Sequence, residues 1–401
     1  MGNRKVLSMT KSITQAVILA GGMGTRLFPL SKDIPKAMIP FYQKPFLRYL
    51  IERLVDQGIK EVLILTGYKA DIIEDYFEDG SEYGIKIHYS RTPVEDNTGT
   101  RIRKAFSLFH DQFFLLYCDN YWPFDLAKLE ECFLQGDKMA QVVIYNNKDS
   151  YTKNNVLVEG DRVKVYDKKR ITENLQGVDI GFILLKKEAI EDMPKEDFLF
   201  ETYLFPKLIE KGQLGAFHTG HRYYSVGSFN RLELTRKFLA KPKYVLVDRD
   251  GVLNEKAPKA DYIKSWSEWR WKQGAIEGLQ YLVQKGFKLI IVTNQAGIAR
   301  EKMSENDLHS IHFNMKEDLS AAGVSIEKIY FCPHGWDDDC DCRKPKPGML
   351  WQAQRDFHLD LSSTFFIGDD PRDIETAEKA GSLSIFVKQE DSLIDIVKNY
   401  F

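Results

Sequence analysis

Tyr244-Val-Leu-Val-Asp248-Arg-Asp250-Gly251 runs four apolar or aromatic residues straight into two aspartates and a glycine. The pattern reads as a buried strand delivering carboxylates at its C-terminal end, which is where open α/β sheets bind their ligands. Taken alone, D-x-D-G would equally suit an ordinary strand-to-turn junction. Two later stretches repeat the device, Thr293-Asn294 after the apolar Lys288-Leu-Ile-Ile-Val292 and Gly368-Asp369-Asp370 after Thr364-Phe-Phe-Ile367, and Lys344 adds a cation between them. The part of the chain that begins here is therefore expected to be a doubly wound α/β unit with a polar site at its strand ends.

At 401 residues the chain is too long for one ordinary core, and two or three domains are expected. A net charge of −2 leaves no basic excess to attract nucleic acid, whereas a phosphorylated small substrate can still be held by a local cluster. The opening MGNRKVLSMTKSIT lacks the apolar core of a secretion signal, and no later run approaches the ~18 apolar residues of a membrane span. A cytoplasmic location without a membrane partner is the expectation. Five cysteines, three of them between positions 332 and 342, suit a reduced compartment and a metal clip better than a disulfide framework.

Gln15-Ala-Val-Ile-Leu-Ala20 reads as the first strand, and Gly21-Gly22-Met23-Gly24-Thr25-Arg26-Leu27 follows it at once. Glycines let backbone N–H groups close around phosphate oxygens, and Arg26 adds a two-pronged donor. With Pro35-Lys36-Ala-Met-Ile-Pro40 and Lys44-Pro45, the run resembles the G-G-x-G-T-R-L-x-P-L-x(4)-P-K signature of the sugar-1-phosphate nucleotidyltransferases. Next come a helix from Phe46 to Gln57, a strand Glu61–Thr66, a helix Ala70–Phe77 and a strand Ile85–Tyr89. A helix from Thr98 to Phe109 and a strand from Phe113 to Tyr117 continue the order of a Rossmann-like domain.

The resemblance implies that Gly21, Gly22, Gly24 and Thr25 bind the nucleotide, that Arg26 holds its triphosphate and that Lys36 holds the sugar phosphate. It implies Asp119 as a Mg²⁺ ligand and Gly99 beside the base, although Gly99 equally suits a plain helix start. Lys168, after Asp167, matches a contact to the sugar phosphate. Asp179 stands where the family has an asparagine sugar contact, which removes two donors. Glu201 matches a sugar-reading acid, although the helix dipole alone would favour a glutamate there. Ser225 takes the place of the family's second metal aspartate, so either water or a neighbouring acid completes the shell, or the transferase is weak or lost.

From Tyr244 onward the chain resembles the haloacid dehalogenase superfamily of phosphatases, whose four motifs residues 244–388 carry in order. The resemblance implies Asp248 as the nucleophile that takes the phosphoryl group and Asp250 as the acid that protonates the leaving oxygen and later activates water. Thr293 would hold phosphoryl oxygens, Lys344 would neutralise charge, and Asp248, the Asp250 carbonyl and Asp369 would bind Mg²⁺. Asp370 and Asp373 are expected to be solvated acids at a helix start. Asn294 and Arg300 are candidate substrate contacts. The loop Asn254 to Gln273, with Trp266, Trp269 and Trp271, either shapes substrate entry or simply packs.

Cys332-Pro-His334-Gly-Trp-Asp-Asp-Asp-Cys340-Asp-Cys342-Arg343-Lys344 places three thiols and an imidazole within eleven residues, the four ligands of a closed tetrahedral zinc site. With the following Pro-Lys-Pro-Gly, it resembles the zinc-bearing branch that holds the heptose 1,7-bisphosphate 7-phosphatases and the histidinol phosphatases. There the metal is structural and the loop sets Arg343 and Lys344 over the active site. The expected architecture is two doubly wound α/β domains, residues 1–240 a nucleotidyltransferase and residues 241–401 a haloacid dehalogenase-like phosphatase with a zinc loop. The expected function is two consecutive steps of nucleotide-activated heptose synthesis, with GTP favoured as the nucleoside triphosphate. The rival is a phosphatase, of heptose bisphosphate or histidinol phosphate, whose N-terminal domain is catalytically weak or a scaffold.

Overall fold

A computed structural model describes residues 13–258 and 261–401. The first twelve residues, read above for their lack of a signal core, and two residues of the 254–273 loop lie outside that description. The chain divides into two compact units, one reaching to Thr219 and taking in Tyr223–Arg236, the other comprising Gly220–Arg222 and Lys237–Phe401. The break thus falls inside the helix Phe229–Leu239, a few residues before position 241. Among the described residues no helix is long and apolar enough to cross a membrane.

The first unit is built on nine strands: β1 Gln15–Ala20, β2 Glu61–Thr66, β3 Lys86–Arg91, β4 Gln112–Tyr117, β5 Ala140–Tyr145, β6 Val156–Glu159, β7 Arg162–Tyr166, β8 Val178–Lys186 and β9 Leu214–Thr219. They lie in the order β3-β2-β1-β4-β8-β5-β9-β7-β6. The first four in that order are parallel, and β8 then runs antiparallel to β4. The sheet is therefore mixed beyond its first four strands. β1 is buried along its whole length, as expected of a strand covered on both faces. The chain passes from β1 outward to β2 and β3 and then returns to β4 on the other side, so the ends of β1 and β4 form a switch point. Expected helix 98–109 is shorter than read: it closes at Lys104 and its last turn tightens into a separate 3₁₀ turn, Phe106–Leu108.

The second unit holds an all-parallel sheet of β10 Tyr244–Val247, β11 Lys288–Asn294, β12 Ile326–Cys332, β13 Phe365–Gly368 and β14 Leu383–Phe386. Their order is β12-β11-β10-β13-β14, with the first strand in the chain at the centre. A second switch point therefore lies at the end of β10, where Asp248 begins. Val245, Leu246 and Val247 are fully or almost fully buried against two apolar clusters, one on each face of the sheet. The helix Pro371–Ala380 after β13 is stopped at both ends by its sequence. Asp370 and Asp373 form a capping box, Pro371 opens the first turn, and Gly381 closes the last at φ +76°.

Candidate active sites

In the first unit Leu19 of β1 is in register with Tyr117 of β4, so the glycine-rich turn and Asp119 leave neighbouring strand ends. Lys36 sits in the 3₁₀ turn Lys36–Met38, and its Nζ lies 2.5 Å from Asp119 Oδ2. Burial opposes both charges, yet each is stabilised by the other: the Lys36 ammonium is raised and the Asp119 carboxyl, helped also by Arg26, is lowered. Gly24 adopts φ +66°, and a Cβ there would meet Lys36 Cβ at 2.9 Å. The turn is thus seated on the lysine it helps to position. Gly22, Thr25 and Arg26 are exposed at its rim.

Gly21 is small for a reason the motif does not display. A Cβ at this position would meet the guanidinium of Arg101 at 2.4 Å, and Arg101 is buried. Its nitrogens donate to the carbonyls of Gly21 (3.3 Å), Thr66 (3.1 Å) and Val94 (3.1 Å) and to the Thr92 hydroxyl. One cation thereby ties together the loops after β1, β2 and β3. Sequence reading passed over it, because an arginine inside a helix start is normally solvated. Gly99 is buried, with its Cα face against the Phe198 ring, where an added Cβ would come within 2.2 Å. Its lack of a side chain is used for that packing.

At the same end of β4, next to Asp119, Asp179, Glu201, Lys168 and Tyr117 gather. Glu201 is buried, accepts from the Tyr117 hydroxyl, and lies 3.3 Å from Lys168 Nζ. Burial, with Glu201 adding repulsion, pushes the Asp179 carboxyl up to about 7, although the Gly181 N–H donates to it at 2.9 Å. Asp167 is not part of this cluster. Its carboxylate collects N–H groups of Lys169, Ile171 and Thr172 and holds a local turn.

Ser225 is buried and pairs in register opposite Asn120, while the Val226 N–H donates to the Asp119 carbonyl at 2.9 Å. The serine therefore stands beside Asp119, where a second carboxylate was missing from the sequence. Among the described residues no group of three potential metal ligands includes Asp119. A hard cation requires more oxygen ligands than this pair supplies, so the residues present do not fit a two-carboxylate metal site.

In the second unit Asp248 follows β10, its N–H bonded to the Ile367 carbonyl of β13 at 2.8 Å. Its Oδ1 lies 2.8 Å from Lys344 Nζ, and the same ammonium lies 2.7 Å from Asp373 Oδ1. Asp373 is 1 % exposed, so it is not the solvated acid expected at a helix start, although its Oδ2 still accepts from the Asp370 N–H in the capping box; Asp370 is the more open of the two and pairs with Arg372 at 2.8 Å. Gly368 makes the close approach possible, since a Cβ there would meet Asp373 Cβ at 2.3 Å.

Asp248, Asp369 and Asp373 bring one oxygen each within 4.8 Å of one another. Burial, with Asp373 and Asp250 adding repulsion and Lys344 only partly offsetting it, pushes Asp248 up to about 8. Asp369 Oδ1 is buried without a hydrogen-bond partner, and Lys256 Nζ is 2.6 Å from its other oxygen. Crowded carboxylates with an unpartnered oxygen fit a divalent cation. Asp373 is the third carboxylate of this group, while the Asp250 side chain is engaged by donors of its own.

Asp250 accepts two bonds from Arg249 Nη2 (3.0 and 2.9 Å) and one each from Asn254 Nδ2 (3.0 Å) and Gln295 Nε2 (2.7 Å). Burial opposes the charge, but Arg249 and these donors outweigh it and hold the carboxyl below its usual range. Thr293 is buried, with its hydroxyl 3.3 Å from Asp250 Oδ2. Asn294 lines the cleft, and its side chain bonds both the N–H and the carbonyl of Lys344, each at 3.1 Å. Arg300 leans on Tyr262 and the Trp336 ring, and Arg343 donates to the His334 carbonyl at 3.2 Å. Lys256 and Arg372, which line the cleft with Asp248, Thr293 and Lys344, escaped the sequence reading because neither follows an apolar run. Trp269 is buried between Trp266 and Trp271, at centroid distances of 5.3 and 5.1 Å, which favours the packing reading of that loop.

Cys332, His334, Cys340 and Cys342 converge at the end of β12, their ligand atoms within 4.8 Å of one another. Tetrahedral zinc with Zn–S of about 2.3 Å and Zn–N of about 2.0 Å sets neighbouring sulfurs about 3.8 Å apart and sulfur–nitrogen pairs about 3.5 Å apart. The structure has 3.8 Å between Cys332 and Cys340 sulfurs, 3.6 Å from Cys332 Sγ to His334 Nδ1, and 3.2 Å from that nitrogen to Cys342 Sγ. The donor set and spacing fit the ion.

The nucleotidyl transferase family profile matches residues 15–174, and that of the polynucleotide kinase 3 phosphatases matches residues 243–384. The D-glycero-beta-D-manno-heptose-1,7-bisphosphate 7-phosphatase of Pseudomonas aeruginosa is 40% identical over 144 residues, covering 36% of this chain and 80% of that one. The D-glycero-alpha-D-manno-heptose 1-phosphate guanylyltransferase of Campylobacter jejuni is 37% identical over 196 residues, covering 47% of this chain and 84% of that one. Among solved structures, HddC from Yersinia pseudotuberculosis superposes with a TM-score of 0.50 at 29% identity, covering 57% of this chain and 100% of that one.

Proposed function

We propose that this chain, which belongs through its first unit to the heptose 1-phosphate guanylyltransferases and through its second to the heptose-1,7-bisphosphate 7-phosphatases, carries both activities in sequence. One observation carries the reading: removing the 7-phosphate from a heptose 1,7-bisphosphate leaves the heptose 1-phosphate that names the substrate of the other relative. Histidinol phosphate offers the first unit nothing. The phosphatase relatives include both anomers at similar identity, 40% for a beta enzyme and 37% for an alpha one, so that side does not choose. The guanylyltransferase relative is an alpha enzyme, and we assign the alpha anomer and GTP from it. A nucleoside triphosphate as substrate also favours a cytoplasmic location.

In the phosphatase cleft a carboxylate oxygen of Asp248 attacks the phosphorus, forming an aspartyl phosphate as the bond to the sugar oxygen breaks. Asp250, held as a carboxylate by Arg249 in the free cleft, takes up a proton when the phosphate anion binds beside it and passes that proton to the leaving oxygen. Water then attacks the phosphoryl group, Asp250 takes the proton back, and inorganic phosphate leaves with Asp248 restored. Lys344 stabilises charge on the nucleophile and phosphoryl oxygens, Thr293 donates to the latter, and Asn294 holds the Lys344 backbone in place. Asp248, Asp369 and Asp373 would hold Mg²⁺, which neutralises phosphate charge. The four-ligand cluster would hold zinc as a structural clip for the segment carrying Arg343 and Lys344.

In the transferase cleft the phosphate oxygen of heptose 1-phosphate attacks the α-phosphorus of GTP, and pyrophosphate leaves. Arg26 and the N–H groups of the glycine-rich turn hold the triphosphate, while Lys36 brings the two anions together. Lys168, Asp179 and Glu201 face the sugar. Ser225 beside Asp119 favours a second reading, in which this unit binds but turns over weakly. The test supplies heptose 1,7-bisphosphate and GTP with Mg²⁺ and follows phosphate and pyrophosphate separately. Both are expected. Phosphate without pyrophosphate, for either anomer and any nucleoside triphosphate, selects the second reading, and preferred hydrolysis of histidinol phosphate refutes the substrate.

A further inference from the structure

Behind Asp250 lies a buried pair of side chains that the phosphatase reaction leaves unused. Arg249 is 1 % exposed, and one terminal nitrogen, Nη2, spans both oxygens of Asp250. Its other terminal nitrogen, Nη1, lies 3.2 Å from Nε2 of His312. A guanidinium has only donors, so that imidazole nitrogen must present its lone pair and the ring is neutral, with its proton on Nδ1. Burial, followed by the charge of Arg249, pushes His312 down to about 3, in agreement with this assignment. The ring comes from the helix Glu305–Ala321, more than sixty residues along the chain, and packs edge-on against Phe331 of β12. Its outer side borders a cleft lined by His309, Lys316, Glu327 and Lys328.

The guanidinium plane can turn about its last bonds. With Nη1 anchored on His312, Nη2 points at the carboxylate in one orientation and, with Asn254 and Gln295, sets the two Asp250 oxygens; it is the one donor that spans both. Without that acceptor only Asp250 and the Trp269 ring hold the guanidinium plane, and a turn that leaves Nη2 on one oxygen is no longer opposed by a second anchor. The general acid must present its proton to the leaving oxygen within a hydrogen-bond length, so a turned carboxyl loses rate without loss of substrate affinity.

We propose that His312 is a positioning residue for the phosphatase, acting as a neutral acceptor that sets the Arg249 guanidinium and, through it, the carboxyl of Asp250. The inference rests on the phosphatase reading above, in which Asp250 protonates the leaving group.

Leaving-group dependence separates this role from a merely structural one. A sugar oxygen needs the acid's proton to depart, whereas p-nitrophenolate departs without it. His312→Phe keeps ring packing and removes the acceptor; His312→Gln keeps an acceptor oxygen near the position of Nε2. Expected for His312→Phe is a kcat loss of at least about tenfold on heptose 1,7-bisphosphate, with little change in KM and a much smaller loss on p-nitrophenyl phosphate. His312→Gln is expected to recover most of the sugar-phosphate rate. Equal losses on the two substrates, or none on either, overturn the proposal. If His312→Phe does not fold, Arg249→Lys takes its place, keeping the buried charge without the fork, and the same split is required of it. A wild-type chain inactive on both phosphates would instead refute the phosphatase reading itself.

Discussion

Burial raises the carboxyl of Asp179 to about 7, which partly reverses what its identity takes away. An ionised aspartate only accepts, but a protonated one donates, as the family's asparagine amide does at this place. A raised carboxyl is protonated below its pKa and ionises as pH rises through it, so the donor is present near pH 6 and lost near pH 8. The KM for heptose 1-phosphate in pyrophosphate release is expected to rise several-fold across about pH 6 to 8. Asp179→Asn should flatten the profile; an identical slope in the variant would show that the titration belongs to the substrates. Lys256 makes a second prediction. Its ammonium sits 2.6 Å from Asp369, on the carboxylate that would face the cation. Lys256→Ala removes a like charge from the metal's neighbourhood, and Mg²⁺ binding followed by calorimetry should tighten by roughly three- to tenfold. Unchanged affinity would place the cation elsewhere.

Strand ends and loops carry the chemistry, and they differ in how they are held. The glycine-rich turn after β1 is held by Arg101 and Lys36, side chains from other elements, whereas the loop after β12 gathers its own three cysteines and a histidine as four candidate metal ligands. That loop ends in Arg343 and Lys344, and the Lys344 backbone is gripped at both its polar groups by Asn294. Removing the metal, by chelation or by Cys342→Ser, is expected to release Lys344 and lower phosphate release by more than about tenfold. Pyrophosphate release should stay near its starting rate, and metal analysis of untreated protein should find one zinc per chain. A zinc-free chain with full phosphatase turnover would contradict the clip. Elements of this kind were easy to read, since an apolar run followed by acids, or four close-spaced ligands, is a local pattern. The 3₁₀ ending after Lys104 and the antiparallel β8 were not, because each depends on what the segment packs against.

Two sheets, each with its own switch point and its own buried clusters, underlie the proposed division of the two chemistries within one chain. Asp248→Asn is expected to abolish phosphate release, since an amide cannot form the acyl phosphate, and to leave pyrophosphate release within about twofold. Lys36→Ala should do the reverse, because it removes the cation shared by Asp119 and the incoming anions. Loss of both activities from either substitution, in protein that remains folded, would mean that the reactions do not divide between the units in this way.

Continuous apolar runs ending in glycines or acids were enough to place β1, β4, β10 and β13, and with them Asp119, Asp248 and Asp369. The reason is that a doubly wound sheet buries its strands on both faces and leaves only their ends polar, a constraint written residue by residue along the chain. Folding alone decided which charges meet. Arg101 and Gly21 are 80 positions apart, Arg249 and His312 are 63 apart, and Asp373, on a helix, joins Asp248, at a strand end, through a lysine that belongs to neither element. Such pairs leave no periodicity in the sequence, because a buried arginine and a solvated one look alike until the partner that desolvates it is in place.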